Sequence, residues 1–321
     1  MTTTPLTFGV FPLGMAGGPD GLAVGPPDDF EAIGRALGEL QGDGKALLPR
    51  MYVVWSGPGS TDEVNAQVAQ FAAIGVPLDL VLCYRDPGGD VAAWASFVSQ
   101  VVARHGRRFA ALQVTGEPNL TWAGAAGDGA FPGARDALVR GVLAGAAAKR
   151  EAGATAEIGF AVVPDIDPAA SGFWAEIRDS GGAEFAASLD YAGIDIYPDV
   201  FGPRLSLDEL PVVVEGLLRD FRERDLATAG IPASVPIRIC ENGWPTGPDR
   251  SEERQAAVLE SIVRTVHALR ADLNVTHWEL FTLRDADSSK DDLFHRFGVL
   301  RDDYSPKPAF HTLRRLIAEL G

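Results

Sequence analysis

An eight-stranded (β/α)8 barrel is the fold class the sequence predicts, and three observations predict it. Short apolar runs alternate with longer stretches of helical periodicity along the chain. There are eight of each, which favours a closed barrel over an open doubly wound sheet. A chain of 321 residues, 46% hydrophobic and 22% charged, suits one large α/β domain spanning residues 1–321.

The strand candidates are Thr7–Leu13, Ala46–Trp55, Leu78–Tyr84, Phe109–Thr115, Glu157–Val163, Tyr191–Tyr197, Pro236–Cys240 and Val275–Thr282, each bounded by Gly, Pro or Asp. Between them lie the helical stretches. Asp29–Leu40 repeats apolar residues at Phe30, Ile33, Leu37 and Leu40, one face of a helix. Asp62–Ile74 does so with Val64, Val68, Phe71 and Ile74, and Val91–Arg104 with Trp94, Phe97, Val98 and Val101. Arg135–Arg150 is rich in Ala, the best helix former. Phe173–Arg178, Leu207–Arg224, Glu252–Arg270 and Pro308–Leu320 complete the set.

The net charge is −16. An acidic surface repels phosphate backbones, and no basic run or basic amphipathic helix suits an anionic membrane, so nucleic acid and membrane are both excluded as partners. No protein partner is evident. Met1–Pro12 lacks a secretory pattern, and no apolar stretch reaches the roughly 20 residues that span a bilayer, so a cytoplasmic protein is expected. Cys83 and Cys240 match no zinc spacing and read as reduced, buried thiols. The five histidines form no ligand pair at helical spacing. Gly14–Gly21 fits no phosphate-binding pattern and reads as a flexible rim loop. Asp285, Asp287, Asp291 and Asp292 read as a solvated acidic loop before a calcium site. No metal or organic cofactor is implied.

In a barrel of this kind, active sites sit at the C-terminal ends of the strands. The residues predicted there include Trp55, Tyr84, Glu117, Tyr197, Glu241, Trp244 and Trp278. Strand four ends Gln113-Val-Thr-Gly-Glu117-Pro-Asn119, and simple alternation places Gln113, Thr115 and Glu117 on one face. Strand seven ends Ile237-Arg-Ile-Cys-Glu241-Asn-Gly-Trp-Pro-Thr246, with Ile237, Ile239 and Glu241 on one face. Two carboxylates from different strands can face one another across the mouth. Glycosidic cleavage needs such a pair: one acid to protonate the leaving oxygen, one carboxylate to attack or to activate water. Either glutamate alone could be a solvated loop residue. Trp55, Trp122 and Trp244 could offer flat apolar faces to a sugar ring, or simply pack.

These residues resemble clan A, the four/seven superfamily of retaining glycoside hydrolases on the TIM barrel. In that clan the acid/base follows strand four in an Asn-Glu-Pro motif, and the nucleophile follows strand seven. Glu117 in Thr-Gly-Glu-Pro-Asn is similar to the first, and Glu241 in Cys-Glu-Asn-Gly-Trp-Pro-Thr to the second. The resemblance spans roughly Thr7 to Leu316 and includes Phe297-Gly-Val-Leu and Ser305-Pro-Lys-Pro-Ala-Phe310. It implies β-glycoside hydrolysis with retention, Glu241 as nucleophile and Glu117 as acid/base, on a carbohydrate substrate. It also implies that Tyr197 orients the nucleophile, that Arg50 holds it ionised, and that Trp278 lies under the sugar. The residue-level alternatives are rim packing for Tyr197, a structural ion pair for Arg50 and a core role for Trp278. One departure is plain. The clan has Asn before the acid/base, where it bonds the 2-hydroxyl; here Gly116 stands, and Asn119, a candidate substrate-binding residue, projects from a different backbone position. A carbohydrate-binding barrel without efficient turnover, or a barrel lyase or isomerase using the same glutamates, are the rival readings.

Overall fold

Pro12 closes the first strand, because proline has no N–H to offer the ladder, so the computed structural model has β1 at Thr7–Phe11 rather than extending to Leu13. The structure describes residues 5–18, 21–44, 47–72, 77–122 and 126–321. The side chain of Phe71, and Ala46, Ile74, Pro19 and Asp20, lie outside that description. The remaining barrel strands are β2 (Leu48–Trp55), β3 (Leu78–Tyr84), β4 (Phe109–Gly116), β5 (Glu157–Val162), β6 (Tyr191–Asp195), β7 (Ile237–Asn242) and β8 (Val275–Phe281). They close in the order β1-β8-β7-β6-β5-β4-β3-β2, an eight-stranded barrel with helices between the strands. The predicted (β/α)8 fold is therefore the observed one.

The helices are α1 (Phe30–Gln41), α2 (Thr61–Ala72), α3 (Val91–His105), α4 (Ala134–Ala152), α5 (Phe173–Ala187), α6 (Glu209–Arg219), α7 (Glu252–Leu273) and α8 (Pro308–Leu320). Side-chain caps start several of them. Asp29 accepts from the N–H groups of Glu31 and Ala32, Asp90 from Ala93, and Ser251 from Arg254. α5 runs nine residues past its expected end because it carries across a break at Gly182 (φ 57°). α6 is shorter than expected because its last turns widen into a π-helix, Asp220–Asp225. The glycine-rich segment expected as a rim loop instead forms an antiparallel hairpin, Met15–Gly18 with Gly21–Val24.

The chain forms two compact units. The first comprises residues 1–47, 196–219 and 238–321; the second comprises residues 48–195 and 220–237. In the second unit, β2 to β6 pair in parallel, with Trp55 opposite Tyr84 and Gln113 opposite Gly159. Its helix-facing core is an aromatic cluster: Trp55 stacks on Tyr84 and Phe97, and Trp94 meets all three. Gly141 lets α4 close on this cluster, since a Cβ there would sit 2.5 Å from Val114 and 2.8 Å from the Trp94 indole nitrogen. In the first unit, β1 pairs with β8, Phe8 packs edge-on against Trp278, and Phe11 stacks on Phe281. Cys83 and Cys240 are both buried. Among the described residues no helix is long and apolar enough to cross a membrane.

Candidate active site

In the first unit the site is organised around the end of β7. Glu241 is half-buried between fully buried neighbours, and the Tyr197 hydroxyl donates to its Oε2 at 2.7 Å. Four of the residues after Glu241 have structural tasks. Asn242 donates to the Ile196 carbonyl (2.7 Å), just past β6, and accepts from the Trp278 indole (3.2 Å) in the middle of β8. Gly243 is required, because a Cβ there would lie 1.9 Å from the Phe281 carbonyl oxygen. Trp244 donates to Asp199 Oδ2 at 3.0 Å, under the Arg250 guanidinium. Thr246 Oγ1 accepts from Lys307 Nζ, which is also ion-paired to buried Asp285.

Two tryptophans predicted to touch substrate here do not. Trp244 and Trp278 are each 0% exposed, so both are core residues. The aromatic surface beside Tyr197 is made instead by Phe201, Phe281 and Phe297, with Phe294 stacked on Phe201. Phe201 is 61% exposed. Alternation would have found Phe281, which lies on the strand face opposite to Trp278. The other three sit in loops, where no periodicity marks them.

The acidic loop after β8 is held by internal pairs. Asp285 is 0% exposed and bound to Lys307, Ser288 and the Gly298 N–H. Asp292 pairs with His295, and Asp287 accepts from Ser289. Glu279, expected to be structural, is fully buried across Gly9.

In the second unit the end of β4 does not follow simple alternation. Gln113 sits opposite Gly159, but Gly116 sits opposite Ala161, so β4 carries one extra residue. Thr115 (φ 67°) and Glu117 (φ 47°) take left-handed backbone, which is costly for residues with a side chain. A bulge therefore aims Glu117, in place of the shared face with Gln113 and Thr115 that the sequence predicts. Glu117 is half-buried, and one of its carboxylate oxygens lies within 4.8 Å of one on Asp195, the buried last residue of β6. Asp195 has the same parity as Tyr197, and that parity was available in the sequence.

Asp128 lies against the same turn. Its Oδ2 accepts from the N–H groups of Tyr84 (2.6 Å) and Gly116 (2.7 Å), and Arg85 approaches Oδ1 at 3.3 Å. Burial pushes its carboxyl up to about 7, against the lowering influence of those N–H groups and Arg85.

Three further predicted residues are placed differently from expectation. Trp55 is 0% exposed in the helix-facing aromatic cluster, so it cannot stack on a sugar. Asn119 spends both ends of its amide on the backbone of Val163, donating to its carbonyl (2.8 Å) and accepting from its N–H (3.0 Å); it staples the ends of β4 and β5 together. Arg50 is 1% exposed and ion-paired to Asp79 at 2.9 Å, with further bonds to Tyr52 and Gln113, which is the structural alternative for that residue. Trp122 is 57% exposed and keeps an open ring face.

No family profile and no curated protein matches the chain in sequence. Solved structures do match in shape. An apo β-glucosidase, 1317, aligns over 91% of this chain and 88% of its own at 16% identity and a TM-score of 0.62. The family 1 β-glucosidase from Thermotoga maritima aligns over 91% and 87% at 13% identity and a TM-score of 0.61. A fungal β-1,4-galactanase aligns over 97% and 100% at 12% identity and a TM-score of 0.62. The fold they share with this chain is the (β/α)8 barrel. At these identities the likeness speaks for the fold; the chemistry has to be argued from the residues.

Proposed function

We propose that the protein hydrolyses β-glycosidic bonds with retention of configuration, residues 1–321 acting as one catalytic domain. Glu241 is the nucleophile and Glu117 the acid/base. In the first step a Glu241 oxygen bonds to the anomeric carbon as the glycosidic C–O bond breaks, and Glu117 gives its proton to the departing oxygen. In the second step Glu117 takes a proton from water, the water oxygen bonds to the anomeric carbon, and the Glu241 ester is released.

The observation that carries this reading is the Tyr197–Glu241 hydrogen bond at the end of β7. It fixes the plane of a half-exposed carboxylate at the barrel position where catalytic groups are found. Asp195 stands beside Glu117, with a carboxylate oxygen within 4.8 Å of one on Glu117. The exposed rings of Phe201 and Trp122 supply apolar faces for a carbohydrate. Incubation with a 2-fluoro β-glycoside bearing an activated leaving group is expected to add one glycosyl mass to the peptide containing Glu241. A label on another residue, or none across a panel of sugars, would overturn the assignment.

Gly116 makes a second expectation. An added Cβ there would meet Cys83 Sγ at 3.4 Å and the Asp128 oxygens at 3.8 Å, ordinary contacts, and the backbone is not left-handed. Gly116→Asn is therefore accommodated and supplies the missing partner for the 2-hydroxyl. Because bonds to that hydroxyl strengthen in the transition state, kcat/KM is expected to rise about tenfold or more. The gain should vanish on 2-deoxy substrates; an equal gain on both would show that the side chain acts elsewhere.

A further inference from the structure

We propose that Asp128 is the positioning residue for Glu117, clamping the bulged end of β4 through a strap formed by Gly127, Asp128 and Gly129. The inference rests on the reading of Glu117 as acid/base. A left-handed non-glycine backbone at Thr115 and again at Glu117 persists only when the surroundings over-determine it. Two independent features of the strap do so.

The first is the carboxylate. Its single oxygen Oδ2 takes the N–H groups of Tyr84, at the end of β3, and Gly116, the residue before Glu117. Those two donors fix where β4 stops. Asp128 is 0% exposed, so the clamp does not compete with water, and Arg85 holds the other oxygen while also donating to the Ala126 carbonyl. The second is close packing. A Cβ on Gly127 would lie 2.8 Å from the Glu117 carbonyl oxygen and 2.9 Å from the Glu117 Cβ. A Cβ on Gly129 would lie 2.6 Å from the Leu120 oxygen and 2.7 Å from the Pro118 oxygen. The two glycines thus press backbone against backbone along Glu117–Leu120, a turn closed by the Leu120 N–H to Glu117 carbonyl bond at 3.0 Å.

A displaced acid catalyst harms only reactions that need the proton, and this gives the test its form. In Asp128→Ala, kcat on an alkyl β-glycoside, a poor leaving group, is expected to fall by about 10²-fold, the scale of general acid catalysis. On a dinitrophenyl glycoside, which departs without protonation, the rate of the glycosylation step should change less than about fivefold, with KM held within about threefold on both. Asp128→Asn presents an amide oxygen to the same two N–H groups and should recover most of the loss. Gly127→Ala, which drives a methyl into Glu117 and leaves Asp128 in place, should reproduce the leaving-group dependence and carries the test if Asp128→Ala does not fold. Equal losses on both leaving groups in a variant with an unchanged melting temperature, or no loss on either, would overturn the proposal. Fluoro-glycoside labelling of Glu241 in the same variants separates the two questions. Labelling that persists leaves the two-step mechanism standing while the clamp is judged, whereas labelling absent already from the unaltered protein removes the mechanism itself.

Discussion

Glu241→Ala is expected to lower turnover on every β-glycoside by on the order of 10⁵-fold, as removal of a nucleophile does when its step has no other route. The lost group is one that Tyr197 holds at 2.7 Å, so the variant also leaves a phenol facing a space that a small anion can enter. Added azide should restore product from activated glycosides. It would attack from the side Glu241 occupied, in a single displacement, so the recovered glycosyl azide should have inverted configuration at the anomeric carbon. NMR of that product is the measurement. A loss of only a few fold, or a recovered product of retained configuration, would mean that the attacking group lies elsewhere.

The barrel was legible because its strands are short, apolar and punctuated, and those features follow from burial on both faces. Ends were less so: Pro12 and Gly182 act locally, and the π-turn after α6 has no pattern of its own. At the site, Glu241 and Tyr197 could be found because each lies at or just past the end of a strand whose alternation is intact. Trp55 shows what position at a strand end omits. Arg50 and Tyr52 join one network with Asp79 and Gln113, and Trp55 is an odd number of residues from Arg50, so it faces the helices. The same parity separates Trp278 from Phe281. Glu117 was found by its neighbours in sequence, for the wrong geometric reason. The bulge between Gln113 and Gly116 reverses the alternation that the prediction used, and the clamp proposed for it, Asp128 with two glycines, has its carboxylate twelve residues downstream of Gly116. A clamp formed across a loop leaves no periodic trace.

Glu117→Ala should separate the two halves of the reaction more sharply than any other change. Without an acid, glycosides with alkyl leaving groups should lose about 10²–10⁴-fold in kcat/KM, while dinitrophenyl glycosides lose little in that parameter. With activated substrates the glycosyl-enzyme forms but lacks a base to deprotonate water, so the second step becomes limiting. kcat and KM should then fall together, and a burst of released phenol equal to the enzyme concentration should precede slow turnover. Azide needs no deprotonation, so it should relieve the second step and give a product of retained configuration, opposite in outcome to the Glu241 variant. A Glu117→Ala variant whose losses ignore the leaving group would take the acid/base role away from Glu117.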